Sequence, residues 1–146
     1  MTTATRMEIA EILKPEAVIP HLRASSKKQL LEELARCAAA VTGVNETVIV
    51  DVLLEREKLG TTGVGNGIAI PHGRLRGLDR LHAFFARLDK PVSFEAIDDQ
   101  PVDLIFLLLA PADAGTEHLK ALAQISRLLR DNDVCDQIRN STNAED

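Results

Sequence analysis

Residues 102–110 read V-D-L-I-F-L-L-L-A, and this nearly unbroken apolar run decides the fold class. A strand with one face in water alternates apolar and polar residues, whereas a run that is apolar at almost every position is expected of a strand buried on both faces. The run is far below the ~20 residues that a helix needs to cross a bilayer. It therefore predicts the central strand of a sheet that helices cover.

Shorter apolar segments predict further strands on either side in sequence. Residues 68–70, I-A-I, are closed by Pro71, and residues 81–88 are rich in Phe and Ala. Residues 60–67 read G-T-T-G-V-G-N-G, with four glycines in eight residues. Such a segment predicts irregular structure whose backbone turns sharply and approaches a ligand closely.

Helical periodicity accounts for most of the remaining chain. Ser25 and Ser26 supply a cap for a helix that starts at Lys27, ends at Gly43 and has recurring apolar residues: Leu30, Leu34, Cys37, Ala38 and Val41. Asn45 caps a second helix that ends at Gly60, with Val48, Val52 and Leu59 on one side. Thr116 opens a third helix whose inward residues are predicted to be Leu119, Leu122, Ile125 and Leu129. A short helix is predicted over residues 134–138.

This order of elements predicts an α/β fold, a sandwich in which helices cover a mixed β-sheet. The length of 146 residues suits a single domain spanning residues 1–146, with a frayed tail from about residue 140.

The composition excludes several classes of function. A net charge of −5 argues against nucleic-acid binding, and the chain has no Tyr or Trp. Met1–Ile9 lacks the apolar core of a signal peptide, so we expect a cytoplasmic protein without membrane insertion. Cys37 and Cys135 show no ligand spacing and are expected to be reduced thiols.

Two histidines occupy comparable positions relative to predicted strands. His72 lies just beyond the strand at 68–70, and His118 lies in the first helical turn after the strand at 102–110. If these strands are parallel, both imidazoles lie near the carboxyl edge of the sheet, where α/β folds bind ligands. Taken alone, a histidine in a turn is more often structural or exposed, which is the interpretation kept for His21 and His82.

A longer pattern around His72 identifies a family. Glu57 is followed after six free positions by V-G, and after two more by I-A-I-P-H-G at residues 68–73. This resembles the active-site signature of the fructose/mannitol-type enzyme IIA proteins of the bacterial phosphoenolpyruvate-dependent phosphotransferase system. Residues 56–75 resemble the nitrogen-regulatory branch in particular, and residues 115–131 resemble the second histidine region of the family. One departure is that family members usually continue with another helical segment where this chain stops.

The resemblance implies the enzyme IIA fold and a phosphohistidine carrier. His72 is implied to accept a phosphoryl group from an HPr-like phosphocarrier protein, with no cofactor and no metal. His118 is implied to hydrogen-bond that group or to orient His72, and Arg56 to clamp the phosphate oxygens. We expect the glycine-rich segment to offer backbone N–H groups to the phosphate, and Gly73 to leave room for a partner.

Phosphate on His72 adds about two negative charges, so a target that binds there is expected to distinguish the two states. The rim is expected to be apolar or small, formed by Gly65, Gly67, Gly73 and Leu75.

Three alternatives remain open at this point. A nucleotide-binding enzyme lacks the G-K-[ST] ending of a P-loop, and a metal-dependent hydrolase using His72, His118 and Asp113 or Glu117 lacks an H-E-x-x-H motif. The third alternative is a sugar-specific enzyme IIA that passes phosphate to a fructose/mannitol-type permease component. The regulator, which acts on downstream target proteins, is favoured by the free-standing chain and by residues 65–75, which read G-N-G-I-A-I-P-H-G-R-L.

Overall fold

The computed structural model describes residues 18–78, 80–113 and 117–140, which contain six strands and four helices. The strands are β1 (Val18–Leu22), β2 (Gly63–Gly65), β3 (Ile68–Ala69), β4 (His72–Leu75), β5 (His82–Val92) and β6 (Val102–Pro111). The helices are α1 (Lys27–Thr42), α2 (Glu46–Lys58), α3 (Glu117–Leu129) and α4 (Asn132–Asn140). Thr116, which was predicted to open the third helix, and the tail after residue 140 lie outside the described residues.

The strands form one mixed sheet in the order β1-β5-β6-β3-β2, with β4 continuing beyond β3 along β6. Strands β3 and β4 are both parallel to β6 and keep one register, because Ile68 pairs with Leu104 and His72 with Leu108. Strand β5 is antiparallel to β6 and β1 is parallel to β5. The α/β fold with a mixed sheet is therefore confirmed.

The central strand β6 is buried on both faces, as its sequence predicts. Ile105, Leu107 and Leu109 pack into a core with α1 and α2. The alternate residues Leu104, Phe106 and Leu108 pack into a second core with α3 and Cys135 of α4. Two helical layers thus enclose the sheet, and none of the helices in the described ranges is long and apolar enough to span a membrane.

Local chemistry explains where the first two helices begin. The Ser26 side chain accepts a hydrogen bond from the backbone N–H of Gln29, and Asn45 caps α2 by accepting from Thr47. Helix α1 ends at Gly43, whose φ of 78° lies in the left-handed region that favours glycine. Both predicted caps are confirmed.

Four details of the sequence prediction are wrong. The glycine-rich segment contains strand β2, because its backbone pairs with β3. His72 begins strand β4, and this four-residue strand has no alternation of buried and exposed residues that would predict it. In α2 the buried residues are Ile49 and Leu53. Of the predicted side, Val52 is half-buried against the core, Val48 is exposed, and Leu59 is exposed just after the helix ends. In α3, Leu119 is 55% exposed and Ala121 is buried instead.

Candidate functional site

His72 is the first residue of β4. It is half-buried and lies in a cleft that residues of α3 also line. Its ring nitrogen Nδ1 lies 3.0 Å from the carbonyl oxygen of Ile70. A carbonyl oxygen only accepts hydrogen bonds, so Nδ1 carries the proton and donates it. In a neutral imidazole this leaves the lone pair on Nε2.

Arg56 in the last turn of α2 contacts that same nitrogen. Its Nε–H donates to His72 Nε2 at 3.2 Å, and its Nη1 donates to the carbonyl oxygen of Gly60 at 2.9 Å. The guanidinium is thereby held by both the histidine and the start of the glycine-rich segment. The structure thus brings together two of the three predicted site residues.

Gly73 explains how Arg56 comes so close to His72. A Cβ atom at Gly73 would lie 2.5 Å from Cγ1 of Val52, so α2 packs directly on the backbone of β4. Val52 and Arg56 are four residues apart and lie on one face of the helix. The absence of a side chain at Gly73 is therefore explained by helix packing, whereas the sequence analysis expects it to leave room for a partner.

His118 is the second residue of α3, in the first turn of the helix as predicted. Its side chain lies outside the described residues, so its contact with the phosphate or with His72 stays a prediction. The side chain of His21 also lies outside the described residues, so its structural or exposed role stays a prediction too. His82 stacks on Phe84 with 6.3 Å between ring centroids.

Several backbone N–H groups of the glycine-rich segment have acceptors within the protein. The N–H groups of Thr62, Gly63 and Asn66 donate to Glu57, Thr61 and Asp98 respectively. The N–H of Gly60 donates to the carbonyl of Glu57. These four N–H groups already have acceptors within the protein, and the expectation that the segment offers N–H groups to the phosphate stays a prediction.

The far end of the segment is fixed from two sides. Asp98 accepts from the backbone N–H groups of Asn66 and Gln100, and these hydrogen bonds lower the pKa of its carboxyl group. Arg139 of α4 donates to the carbonyl of Asn66 at 2.7 Å and forms an ion pair with Asp103. This packing leaves no space for a side chain at Gly67, where a Cβ atom would lie 2.6 Å from Arg139 Nη2.

His72 opens into a cleft of about 480 Å³ between the glycine-rich segment and α3. Thr61, Thr62 and Val64 line one wall, and the other wall includes Ser126, Arg127 and Arg130. With Arg56, three arginines line the cleft into which His72 opens. Such a cleft attracts an anion with several oxygens, which guanidinium groups bind in pairs.

Sequence reasoning missed Arg127 and Arg130. A signal for them exists, since they are three residues apart and lie on the same side of a helix as Ser126 and Ala123. It does not indicate that this side faces His72.

The predicted rim is also corrected, because Leu75 and Gly65 are buried. The exposed apolar residue that lines the cleft is Val64 instead, at 48% exposure.

The two cysteines, Cys37 and Cys135, are unpaired thiols, and burial raises the pKa of each. Within the described ranges, no three His, Cys, Asp or Glu side chains are grouped closely enough to hold a metal ion.

Comparison with known proteins identifies the family. The family model described as "Phosphoenolpyruvate-dependent sugar phosphotransferase system, EIIA 2" matches residues 11–146. A nitrogen regulatory protein of Bradyrhizobium diazoefficiens is 57% identical over 139 residues, covering 95% of this chain and 91% of that protein. A fructose-specific EIIA component of Haloferax volcanii is 34% identical, covering 94% of this chain and 85% of that protein.

A solved structure agrees with these relatives. The crystal structure of nitrogen regulatory protein IIA-Ntr from Neisseria meningitidis superposes with a TM-score of 0.89 at 36% identity, covering 94% of each chain. The chain therefore belongs to the EIIA 2 family of the phosphoenolpyruvate-dependent sugar phosphotransferase system.

Proposed function

We propose that this protein is a phosphohistidine carrier that accepts a phosphoryl group on Nε2 of His72. Phosphotransfer is the chemistry of its family, and one observation points to the atom. The Ile70 carbonyl holds the proton on Nδ1, so the lone pair of His72 is on Nε2, which faces the guanidinium of Arg56 in the cleft.

Transfer from a phosphohistidine donor exchanges one phosphorus–nitrogen bond for another. A bond forms between His72 Nε2 and phosphorus while the bond from phosphorus to the donor nitrogen breaks, and the electron pair of that bond returns to the donor. Arg56 gives up its hydrogen bond to Nε2 as the phosphoryl group arrives, and the same guanidinium, still held by the Gly60 carbonyl, donates to the phosphoryl oxygens. Phosphoryl transfer depends mainly on such positioning and charge stabilisation.

The proton on Nδ1 has a second use in the onward step. A ring that carries a proton on its other nitrogen is a better leaving group, so the Ile70 contact favours release of the phosphoryl group to an acceptor. His118, at the start of α3, is the proposed third participant, because a helix N-terminus favours a nearby anion.

The proposed donor is an HPr-like phosphocarrier protein, and the proposed output is regulation through target proteins that distinguish the two phosphorylation states. The nitrogen regulatory names of the relatives support this branch over transfer to a permease component. The proposed location is the cytoplasm, since the series of transfers that supplies the phosphoryl group starts from phosphoenolpyruvate. We also propose that the protein is a single enzyme IIA domain.

Incubation with phosphoenolpyruvate, enzyme I and an HPr-like carrier tests the proposal. We expect intact-mass spectrometry to show one added phosphoryl group that is labile in acid and stable in base. His72→Ala should remove it completely, whereas the control His82→Ala should keep it. Persistent labelling of His72→Ala would place the phosphoryl group elsewhere. The two forms then serve in parallel pull-downs for state-dependent partners.

A further inference from the structure

Glu57 is a buried carboxylate next to the site whose role the proposed chemistry does not use. Its side chain is only 6% exposed. It accepts hydrogen bonds from both donors of Thr62, the backbone N–H at 3.0 Å and the side-chain hydroxyl. A burial of this kind is costly for a carboxylate unless several donors compensate it.

The third partner of Glu57 is a cation from another helix. Lys27 Nζ, at the start of α1, lies 2.9 Å from Glu57 Oε1 and 4.6 Å from the centre of the Phe94 ring. The Lys27 side chain is itself only 18% exposed. Glu57 is therefore the point at which α1, α2 and the glycine-rich segment are joined.

A continuous chain of hydrogen bonds leads from Glu57 to the reacting ring. The carbonyl of Thr62 accepts from the backbone N–H of Ile70 at 3.0 Å. The carbonyl of Ile70 then accepts from Nδ1 of His72 at 3.0 Å. The position of the acceptor that fixes the His72 tautomer thus depends on where Thr62 is held.

Arg56 and Glu57 act on the same segment from adjacent positions. Arg56 binds the carbonyl of Gly60, and Glu57 binds both donors of Thr62, so the last turn of α2 holds the segment on both sides of Thr61. One helix end thereby positions both the cation at Nε2 and the acceptor at Nδ1.

We propose that Glu57 is a positioning residue for phosphoryl transfer, which through Thr62 and Ile70 keeps the proton of His72 on Nδ1 and the lone pair on Nε2. This inference rests on the proposed role of His72 as phosphoacceptor. Replacing the carboxylate by an amide removes one acceptor and the charge that faces Lys27. Thr62 then loses a partner, and Ile70 is no longer held against the ring.

The first measurement needs no phosphoryl donor. Ring ¹⁵N shifts of His72 report which nitrogen carries the proton, and they can be followed against pH in wild type, Glu57→Gln and the control Glu55→Gln. Glu55 is two residues away on α2, exposed, and paired with Lys58 at 2.9 Å. We expect Glu57→Gln to raise the population with the proton on Nε2, and Glu55→Gln to match wild type.

The second measurement is the rate of phosphoryl transfer from the carrier. Misplaced reacting groups typically lower such rates by up to about 100-fold, and we expect a loss of about 10- to 100-fold for Glu57→Gln. Thr62→Val keeps the shape but lacks the hydroxyl, and should shift the tautomer and rate in the same direction. Thr62→Ser restores the hydroxyl and should lie closer to wild type. If Glu57→Gln does not fold, this pair decides.

An unchanged tautomer in Glu57→Gln and Thr62→Val overturns the inference, even if transfer slows, since the slowing would then be structural. A shifted tautomer with wild-type transfer also overturns it. If wild type itself is not phosphorylated, the proposed function fails, and the ring shifts show separately whether Glu57 controls His72.

Discussion

The two walls of the His72 cleft differ in how their polar groups are used. On the wall formed by α2 and the glycine-rich segment, Arg56, Glu57 and Thr62 each have identified partners within the protein. On the α3 wall, the guanidinium groups of Arg127 and Arg130 form no hydrogen bond or ion pair with any residue in the described ranges. The first wall is therefore fixed before any ligand binds, whereas the guanidinium groups of the α3 wall are available to bind one.

This difference separates two tasks of a phosphocarrier. Chemistry at Nε2 requires preorganised groups, because a dipole that must reorient during the reaction stabilises the transition state less. Docking to several partners requires charges that are not already paired. We therefore expect substitutions on the fixed wall to change the rate of transfer itself, and substitutions on the α3 wall to change association.

The largest effect is expected from Arg56→Lys on the fixed wall. Lysine keeps the charge but cannot contact His72 Nε2 and the Gly60 carbonyl with one planar group. Loss of one such stabilising group costs about 10²-fold in rate. Single-turnover transfer from a saturating phosphorylated carrier measures it, with Arg36→Lys, an exposed arginine of α1, as the control. A transfer rate within twofold of wild type would show that charge alone is enough on this wall.

An intermediate effect is expected from the double variant Arg127→Gln, Arg130→Gln on the α3 wall. Removing the two cations of the α3 wall should lower association with an anionic, phosphorylated donor several-fold at low salt. The difference between variant and wild type should shrink as salt rises, because at 0.1 M salt exposed charges more than about 10 Å apart are largely screened from one another. Transfer rates measured against carrier concentration at several salt concentrations separate the two steps. A large loss at saturating carrier would assign these arginines to the chemistry and remove the distinction between the walls.

The sequence predicts more of the fixed wall than of the α3 wall, for a physical reason. His72, Arg56 and Glu57 lie within residues 56–75, a single stretch that carries the family resemblance. Arg127 and Arg130 come from a helix some fifty residues away, and only the tertiary fold brings its polar side to His72. Periodicity gives the faces of a helix but not the element that each face meets.

The errors in the fold have a similar origin. Val48 and Leu59 were assigned to one apolar side of α2, yet the buried residues are Ile49 and Leu53. The helix has apolar residues on more than one side, so its sequence does not decide which side packs on the sheet. Strands β2 and β4 escaped prediction because pairing with β3 and β6, rather than any side-chain pattern, makes them strands.

The smallest effect is expected at Asp98, where the fixed wall ends. Hydrogen bonds from the N–H groups of Asn66 and then Gln100 lower the pKa of the Asp98 carboxyl group, although the side chain is fully exposed to solvent. A lowered pKa in the folded state means that the ionised carboxylate stabilises the fold above its unfolded pKa of about 3.9. That contribution is lost as the pH falls through the lower, folded value. Asp98→Asn should therefore lower the urea midpoint slightly at pH 7, and the gap from wild type should close in acid.

The matched control is Asp51→Asn, which removes a carboxylate at an exposed position on α2 and should change the urea midpoint at pH 7 less than Asp98→Asn does. Transfer to His72 should change little in Asp98→Asn, because the contacts that fix Nδ1 run through Thr62 and Ile70 at the other end of the segment. Should Asp98→Asn slow transfer as strongly as Arg56→Lys, the fixed wall would extend as one rigid unit to its far end. A gap in midpoint that stays constant from pH 7 into acid would instead show that the ionised carboxylate is not what stabilises the Asn66 turn.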